Sequence, residues 1–263
     1  MPDDSKSTEA EWRDVLLHGD PVGRRLRPVL SRLPSSPRCK LCHAPFRGWG
    51  SYVMRVMGRP QSKKNPRYCE PCEMTQPGGA EVEISMLFAD VRGSTGLAEK
   101  MRASEFGHLI GHFYEIATRV LVEGDALIDR LVGDEVIGLF IPGMAGPEHP
   151  RRAIEAAQKL TRRLAAAGEA GLPVGIGVHT GVAFVGVVKG GKDGVGDFTA
   201  LGDNVNVTAR LASQAAVGEI LVSDAAFTRA GVRAQGLEQR TLRLKGKAEA
   251  VTVHVLRADS SIQ

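Results

Sequence analysis

No run in this chain approaches the ~18 consecutive apolar residues that a membrane-spanning helix requires, so no span is expected. The opening Met1-Pro2-Asp3-Asp4 is acidic and polar, unlike a secretory signal, and a cytoplasmic location is the expectation. Cysteine is equally scarce. Four cysteines in 263 residues exclude a disulfide-built scaffold. No internal repeat is found, which sets aside solenoids and propellers. Acidic residues are in deficit only at the start: residues 1–79 carry 14 Lys/Arg against 8 Asp/Glu, and the remainder 20 against 22. Arg24, Arg25, Arg27 and Arg32 fall in a predicted helix, where a solvated face is the ordinary role, so nucleic-acid binding is not expected.

What is present is a 43% hydrophobic composition and enough length for one good-sized domain with an appendage. Thr8-Glu9-Ala10-Glu11 has capping-box spacing, Trp12, Val15 and Leu16 share a helical face, and Gly19 is a stop signal. Val22 to Leu33 repeats the pattern around a kinking Pro28. Neither segment buries enough to fold alone, and both are expected to pack on something else.

Cys39-Lys40-Leu41-Cys42 is answered by Cys69-Glu70-Pro71-Cys72, two Cys-x-x-Cys knuckles that together hold every cysteine of the chain. Such spacing points to one tetrahedral four-sulfur site for structural zinc, with an iron–sulfur centre or free redox-active thiols as alternatives. The glycine-rich and then basic insert between the knuckles reads as a metal-pinned loop. The divisions expected are a helical segment over 1–36, a metal-binding module over 37–74, a linker over 75–80, a main domain over 81–257 and a tail over 258–263.

Two acidic turns dominate the main domain. In Ile84-Ser85-Met86-Leu87-Phe88-Ala89-Asp90-Val91-Arg92-Gly93-Ser94-Thr95, an apolar strand ends in a carboxylate and turns at glycine into a helix. The carboxylate can serve a hard divalent cation, and the free amides of the turn can hold phosphate. In Leu131-Val132-Gly133-Asp134-Glu135-Val136, apolar residues flank Gly133-Asp134 as in a hairpin, which puts Asp134 at the tip of two strands. Should the hairpin pair beside the first strand, Asp90 and Asp134 converge. Two close carboxylates repel unless a cation lies between them.

Long helices are predicted over Ser104 to Leu121, Pro150 to Ala167 and Val205 to Ser213, the last placing Asn206 and Arg210 on one face. Val174 to Gly181 and Ala183 to Val188 read as two strands joined at a glycine, with His179 a packed strand residue and not a catalytic base. A near-match to a phosphate loop from Gly186 fails because Asp193 stands where a hydroxyl should bind magnesium. Further strands are expected at Glu219-Ile220-Leu221-Val222, Thr241-Leu242-Arg243-Leu244 and Val251-Thr252-Val253-His254-Val255. Strands and helices alternate, giving an α/β (α+β) class.

Phe88-Ala89-Asp90-Val91-Arg92-Gly93-Ser94-Thr95 with Leu131-Val132-Gly133-Asp134 resembles the catalytic domain of the class III nucleotidyl cyclases. The resemblance extends in the family's order through His179-Thr180-Gly181, Leu201-Gly202-Asp203-Asn204-Val205-Asn206-Val207-Thr208-Ala209-Arg210 and Leu244-Lys245-Gly246-Lys247, over roughly Ala80 to Leu256. It implies a ferredoxin-like βαββαβ core and cyclisation of a nucleoside triphosphate with release of pyrophosphate. It implies Asp90, Val91 (by its carbonyl) and Asp134 as ligands of two Mg²⁺ or Mn²⁺ ions, with amides from Arg92 to Gly96, including Gly93, Ser94 and Thr95, on the phosphates. Arg210 matches the family's transition-state arginine, Asn206 its ribose-orienting residue and Lys245 a contact to the terminal phosphates. In the family the site is split across a dimer, so a head-to-tail homodimer is implied.

Arg130 stands where ATP-using members carry lysine, and Thr199 fills the partner position. Guanine-selective members place an acceptor at the first position, and arginine can only donate. An adenylate cyclase making cyclic AMP from ATP, regulated by the cysteine module, is the expectation. A guanylate cyclase and a non-catalytic dimeric sensor of metal or redox state are the alternatives.

Overall fold

The structure, a computed structural model, describes the chain except residues 1–3, 22–24, 26–27, 29–36, 41, 64, 74–77, 167–171, 190–195, 233–235, 246, 248 and 261–263. Most of the expected second N-terminal helix over Val22 to Leu33 and most of the glycine-rich 189–196 connection lie outside the described residues. No described helix is long and apolar enough to cross a membrane.

The main domain is built on β1 (Gly78–Val91), a strand of 14 residues that begins inside the stretch expected to be linker. It pairs antiparallel along its whole length with β4 (Val174–Lys189), from Gly78 opposite Val187 to Val91 opposite Val174. β4 is one strand, not the two expected at Gly181, because β1 on one side and β5 (Gly196–Leu201) and β6 (Ile220–Ser223) on the other keep its ladder bonded throughout. On β1's other flank lies the hairpin of β2 (Leu127–Val132) and β3 (Glu135–Phe140). With β7 (Glu238–Leu242) and β8 (Val251–Leu256), the sheet runs β2-β3-β1-β4-β6-β8-β7, and β5 adds to β4. Its first four strands stand in the order β4-β1-β3-β2, the arrangement of a βαββαβ unit.

The strand period of two sorts β1 between two cores. Leu87, Ala89 and Val91 face one, filled from α4 (Ala103–Glu123) by Phe113, Ala117 and Leu121 and from α6 (His149–Ala166) by Ile154, Ala157 and Leu160. Val82, Ile84, Met86 and Phe88 face the other, together with Trp12 and Leu16 of α1 (Asp4–His18), the cysteines and Val185 and Phe198. Trp12 stacks on Phe198 at 6.4 Å, and Leu16 is fully buried beside the short α5 (Pro142–Ala145), where a Cβ on Gly143 would stand 2.8 Å from the Leu16 carbonyl. α1 starts a turn ahead of Thr8, so the Thr-x-x-Glu spacing lies within the helix and does not open it; Gly19 stops it with φ +85°, as expected. Also on this side lies α7 (Asp203–Gln214), which settles on β4 because Gly177 has no side chain: a Cβ there would stand 2.6 Å from the Thr208 carbonyl.

The cysteine module is a pair of knuckles. Cys39 exchanges turn bonds with Ala44 and His43, His43 holding φ +61°, and the second knuckle closes through Cys72 N–H to the Cys69 carbonyl at 2.9 Å. The insert expected as a loop contains α2 (Gly48–Val56), whose helical signal is obscured by the glycines at 48 and 50. Module and sheet are joined by polar bonds. Asn65 receives the Ile128 amide at 2.6 Å and donates to the Ile128 carbonyl at 3.4 Å, at a bulge in β2. Arg67 donates to the Val122 carbonyl, and Lys40 pairs at 2.9 Å with Asp125, a residue held at φ +64° that Arg152 also grips.

Candidate active site

Asp90 is the last even-numbered residue of β1, so it emerges on the same side as Met86 and Phe88, where the strand runs out of sheet. The β2–β3 hairpin turns at Gly133, whose φ of +61° favours glycine. Its tip is laced to β1 by the Val91 amide, which donates to the Asp134 carbonyl at 3.1 Å. That bond brings the two acidic turns together, and the Asp134 charge lies near enough to act on the Asp90 carboxyl. Burial raises the Asp90 carboxyl above its ordinary range, Arg92 opposes that rise, and the nearby Asp134 charge adds to it.

Sequence reasoning passed over three further side chains here. Glu135 stands directly opposite Asp90 in the ladder, and burial together with the Asp90 and Asp134 charges raises its carboxyl. Arg92 pairs with Asp90 and reaches back to donate to the Ser213 carbonyl at 2.6 Å, while its own amide is taken up by the Pro173 carbonyl. That amide is therefore not free for phosphate, contrary to expectation. Tyr114 of α4 donates to the Gly133 carbonyl at 2.8 Å and pins the hairpin from behind. Glu135 was legible as the neighbour of Asp134; Arg92 and Tyr114 carried no signal beyond residue type.

Three carboxylates facing one guanidinium leave an excess of negative charge. Hard oxygen donors from Asp90, Asp134 and the Val91 carbonyl suit Mg²⁺ or Mn²⁺, which would relieve the repulsion. Directly behind them Gly93, at φ +70°, leads into α3 (Ser94–Lys100). The amides of Ser94, Thr95 and Gly96 open that helix and have no preceding carbonyl to bond.

The remaining predicted residues occupy other elements. Asn206 and Arg210 lie on the side of α7 away from its buried Val207, Thr208, Leu211 and Ala212, and Arg210 makes no ion pair with any described carboxylate. Arg130 is half exposed on β2, 3.8 Å from Asp129, and Thr199 is buried on β5. Lys245 stands exposed on the β7–β8 connection, beside Lys247, which pairs with Asp203 at the start of α7. His179 is a packed strand residue, as expected: it bonds Ser223 at 2.7 Å and Asn204 at 2.9 Å, and burial lowers its pKa.

The four cysteines form the second centre. Their sulfurs all lie within 4.8 Å of one another and are buried, with Cys42 and Cys69 at 3.6 Å. A tetrahedral zinc with bonds of about 2.3 Å sets its sulfurs about 3.8 Å apart. Hydrogen bonding from Cys39 first, then Cys69 and Cys72, holds the Cys42 thiol far below its ordinary range, while bonding to Cys39 and Cys42 pushes Cys69 and Cys72 up. Four thiolates this close need a cation, and Arg59, 3.9 Å from the Cys72 sulfur, would offset the residual charge of a metal tetrathiolate.

Comparison with known proteins agrees with this geometry. The sequence profile of the adenylate and guanylate cyclase catalytic domain matches residues 79–257. An adenylate cyclase of Anabaena cylindrica is 28% identical over 187 residues, 66% of this chain and 37% of that protein. Adenylate cyclase 1 of Rhizobium meliloti (strain 1021) is 31% identical over 136 residues, 49% of this chain and 20% of that protein. The chain thus spans well under half the length of these relatives. The adenylyl cyclase CyaB from P. aeruginosa superimposes with a TM-score of 0.59 at 25% identity, over 70% of this chain and 98% of that one. The guanylyl cyclase Cya2 does so with 0.59 at 26%, over 68% and 93%. The chain belongs to the adenylate and guanylate cyclase catalytic-domain family.

Proposed function

We propose that this protein is an adenylate cyclase that forms 3′,5′-cyclic AMP and pyrophosphate from ATP at sites shared between two copies of the chain. The observation that carries the reading is the division of the site. Asp90, Asp134 and Glu135 gather at one strand end, while Asn206 and Arg210 face outward without a partner among the described residues. In a head-to-tail pair, Arg210 of one copy would meet the acidic cluster of the other.

Asp90, Asp134 and the Val91 carbonyl would hold Mg²⁺ or Mn²⁺, which when bound acidifies the ribose 3′-hydroxyl and neutralises the triphosphate. Asn206 orients the ribose, and Arg210 donates to the α-phosphate oxygens as charge builds there. Ser94, Thr95 and Gly93 supply backbone contacts to the outer phosphates, with Lys245 supplying charge. Positioning and charge stabilisation carry most of phosphoryl transfer, so no dedicated base is assigned. Arg130 can donate to the adenine N1 acceptor and cannot accept from guanine N1–H, which leaves guanine only its O6 as a contact, and ATP is the substrate assigned. The cysteine module, holding zinc or another thiophilic metal, would regulate the enzyme through its bonds to β2, the strand that carries Arg130.

Purified protein with Mn²⁺ should release cyclic AMP from ATP and much less product from GTP. Asp90→Ala and Arg210→Ala should each be inert. Mixed and re-equilibrated, they should regain roughly a quarter of wild-type activity, because each heterodimer keeps one intact site. Inertness of the wild type with both nucleotides would overturn the catalytic reading, and failure to complement would overturn the shared site.

A further inference from the structure

Helix α2 carries the densest exposed apolar stripe among the described residues. Trp49 and Tyr52 are 67% and 70% exposed, and Val53, Val56 and Met57 are exposed beside them. The spacing 49, 52, 53, 56, 57 puts all five on one side. The helix cannot roll this stripe inward. Gly50 and Met54 on its other side are buried, and a Cβ on Gly50 would meet the Pro45 ring at 2.9 Å. Apolar surface held outward on a small module marks a contact face.

The charge around it identifies the partner. From Pro21 to Cys69 the chain has no Asp or Glu and 12 Lys/Arg, among them the exposed Arg47 and Arg55 on either side of the stripe and Lys63 beyond it. A second copy brought to this face by two-fold symmetry would set the exposed Arg55 and Lys63 against their own equivalents. A nucleic acid would satisfy the cations but give three aliphatic side chains, Val53, Val56 and Met57, nothing to bind. Anionic headgroups above an apolar layer satisfy both features. We infer that α2 and its basic surround dock the protein peripherally on anionic phospholipid, with Trp49 and Tyr52 at headgroup depth and the cations on lipid phosphates. This inference does not depend on cyclase activity.

Full-length protein should co-sediment with phosphatidylcholine vesicles containing phosphatidylglycerol and not with phosphatidylcholine alone. Raised salt should release it, and its tryptophan emission should shift to the blue on binding. The pair Trp49→Asp and Val56→Asp, both at exposed positions, should lower the bound fraction about tenfold with the thermal midpoint unchanged. No binding to either vesicle, or binding that ignores the double substitution, overturns the proposal. So does a Trp49 emission, taken as the difference between the protein and its Trp49→Phe variant, that is already blue-shifted without lipid, which would mean that a second copy or another segment covers the stripe. Retention on DNA with vesicles ignored overturns it in favour of nucleic acid.

Discussion

At the scale of single residues, the charges that matter are those the fold makes uncomfortable. Ser85, His149 and Thr180 form a buried chain of hydrogen bonds at 2.9 and 2.6 Å through the middle of the sheet. Burial, with Arg229 adding, holds the His149 imidazole down at about 4 from an ordinary 6.5. The unfolded chain therefore binds more protons than the folded one between those two values. Stability should fall as pH drops through that window, by at most about 1.4 kcal/mol per pH unit from this group. His149→Gln, which can still bond Ser85, should flatten the slope of thermal midpoint against pH between about 6.5 and 4. An unchanged slope would mean that other groups set the acid limit. Asp90 and Asp134 were legible from their places at a strand end and a hairpin tip, and the resemblance singled them out. Residue type did not announce Arg92 or Tyr114, whose roles arise from partners 121 and 19 positions distant.

At the scale of elements, the cysteine module and the β2–β3 hairpin are tied together by hydrogen bonds to the backbone. Asn65 takes and gives a backbone bond at Ile128, where β2 bulges just ahead of Arg130. Asn65→Ala would leave a buried Ile128 amide unpaired, a cost of about 1–3 kcal/mol. It should lower the thermal midpoint and raise KM for nucleotide more than it lowers kcat, because Arg130 and the hairpin lose their support. An equal loss in both would argue that the bond is merely structural. The hairpin, α4, α6 and α7 were readable from periodicity, because each has an apolar stripe and a clear stop. α2 was not, because glycines at 48 and 50 mimic a loop and Met54 and Gly50 alone face inward. The continuity of β4 past Gly181 was hidden for the opposite reason. Glycine there admits the Asn204 side chain, whose amide carbon would stand 2.6 Å from a Cβ, so it serves packing and not a turn.

At the scale of the whole molecule, the order β4-β1-β3-β2 could be anticipated only through resemblance, because pairing between strands nearly a hundred residues apart leaves no local trace. Arg92 has the widest reach of any side chain in the site. One guanidinium holds Asp90, which under the proposed function would serve its own copy's centre, and also the Ser213 carbonyl at the end of the helix whose Arg210 would serve the neighbour's. A nucleotide entering one centre would thus tug on the part that finishes the other, gearing the two together. Calorimetric titration with a non-cyclisable ATP analogue should resolve two unequal affinities, which Arg92→Ala should merge into one. Two equal affinities in the unaltered protein would show that the centres work in ignorance of each other.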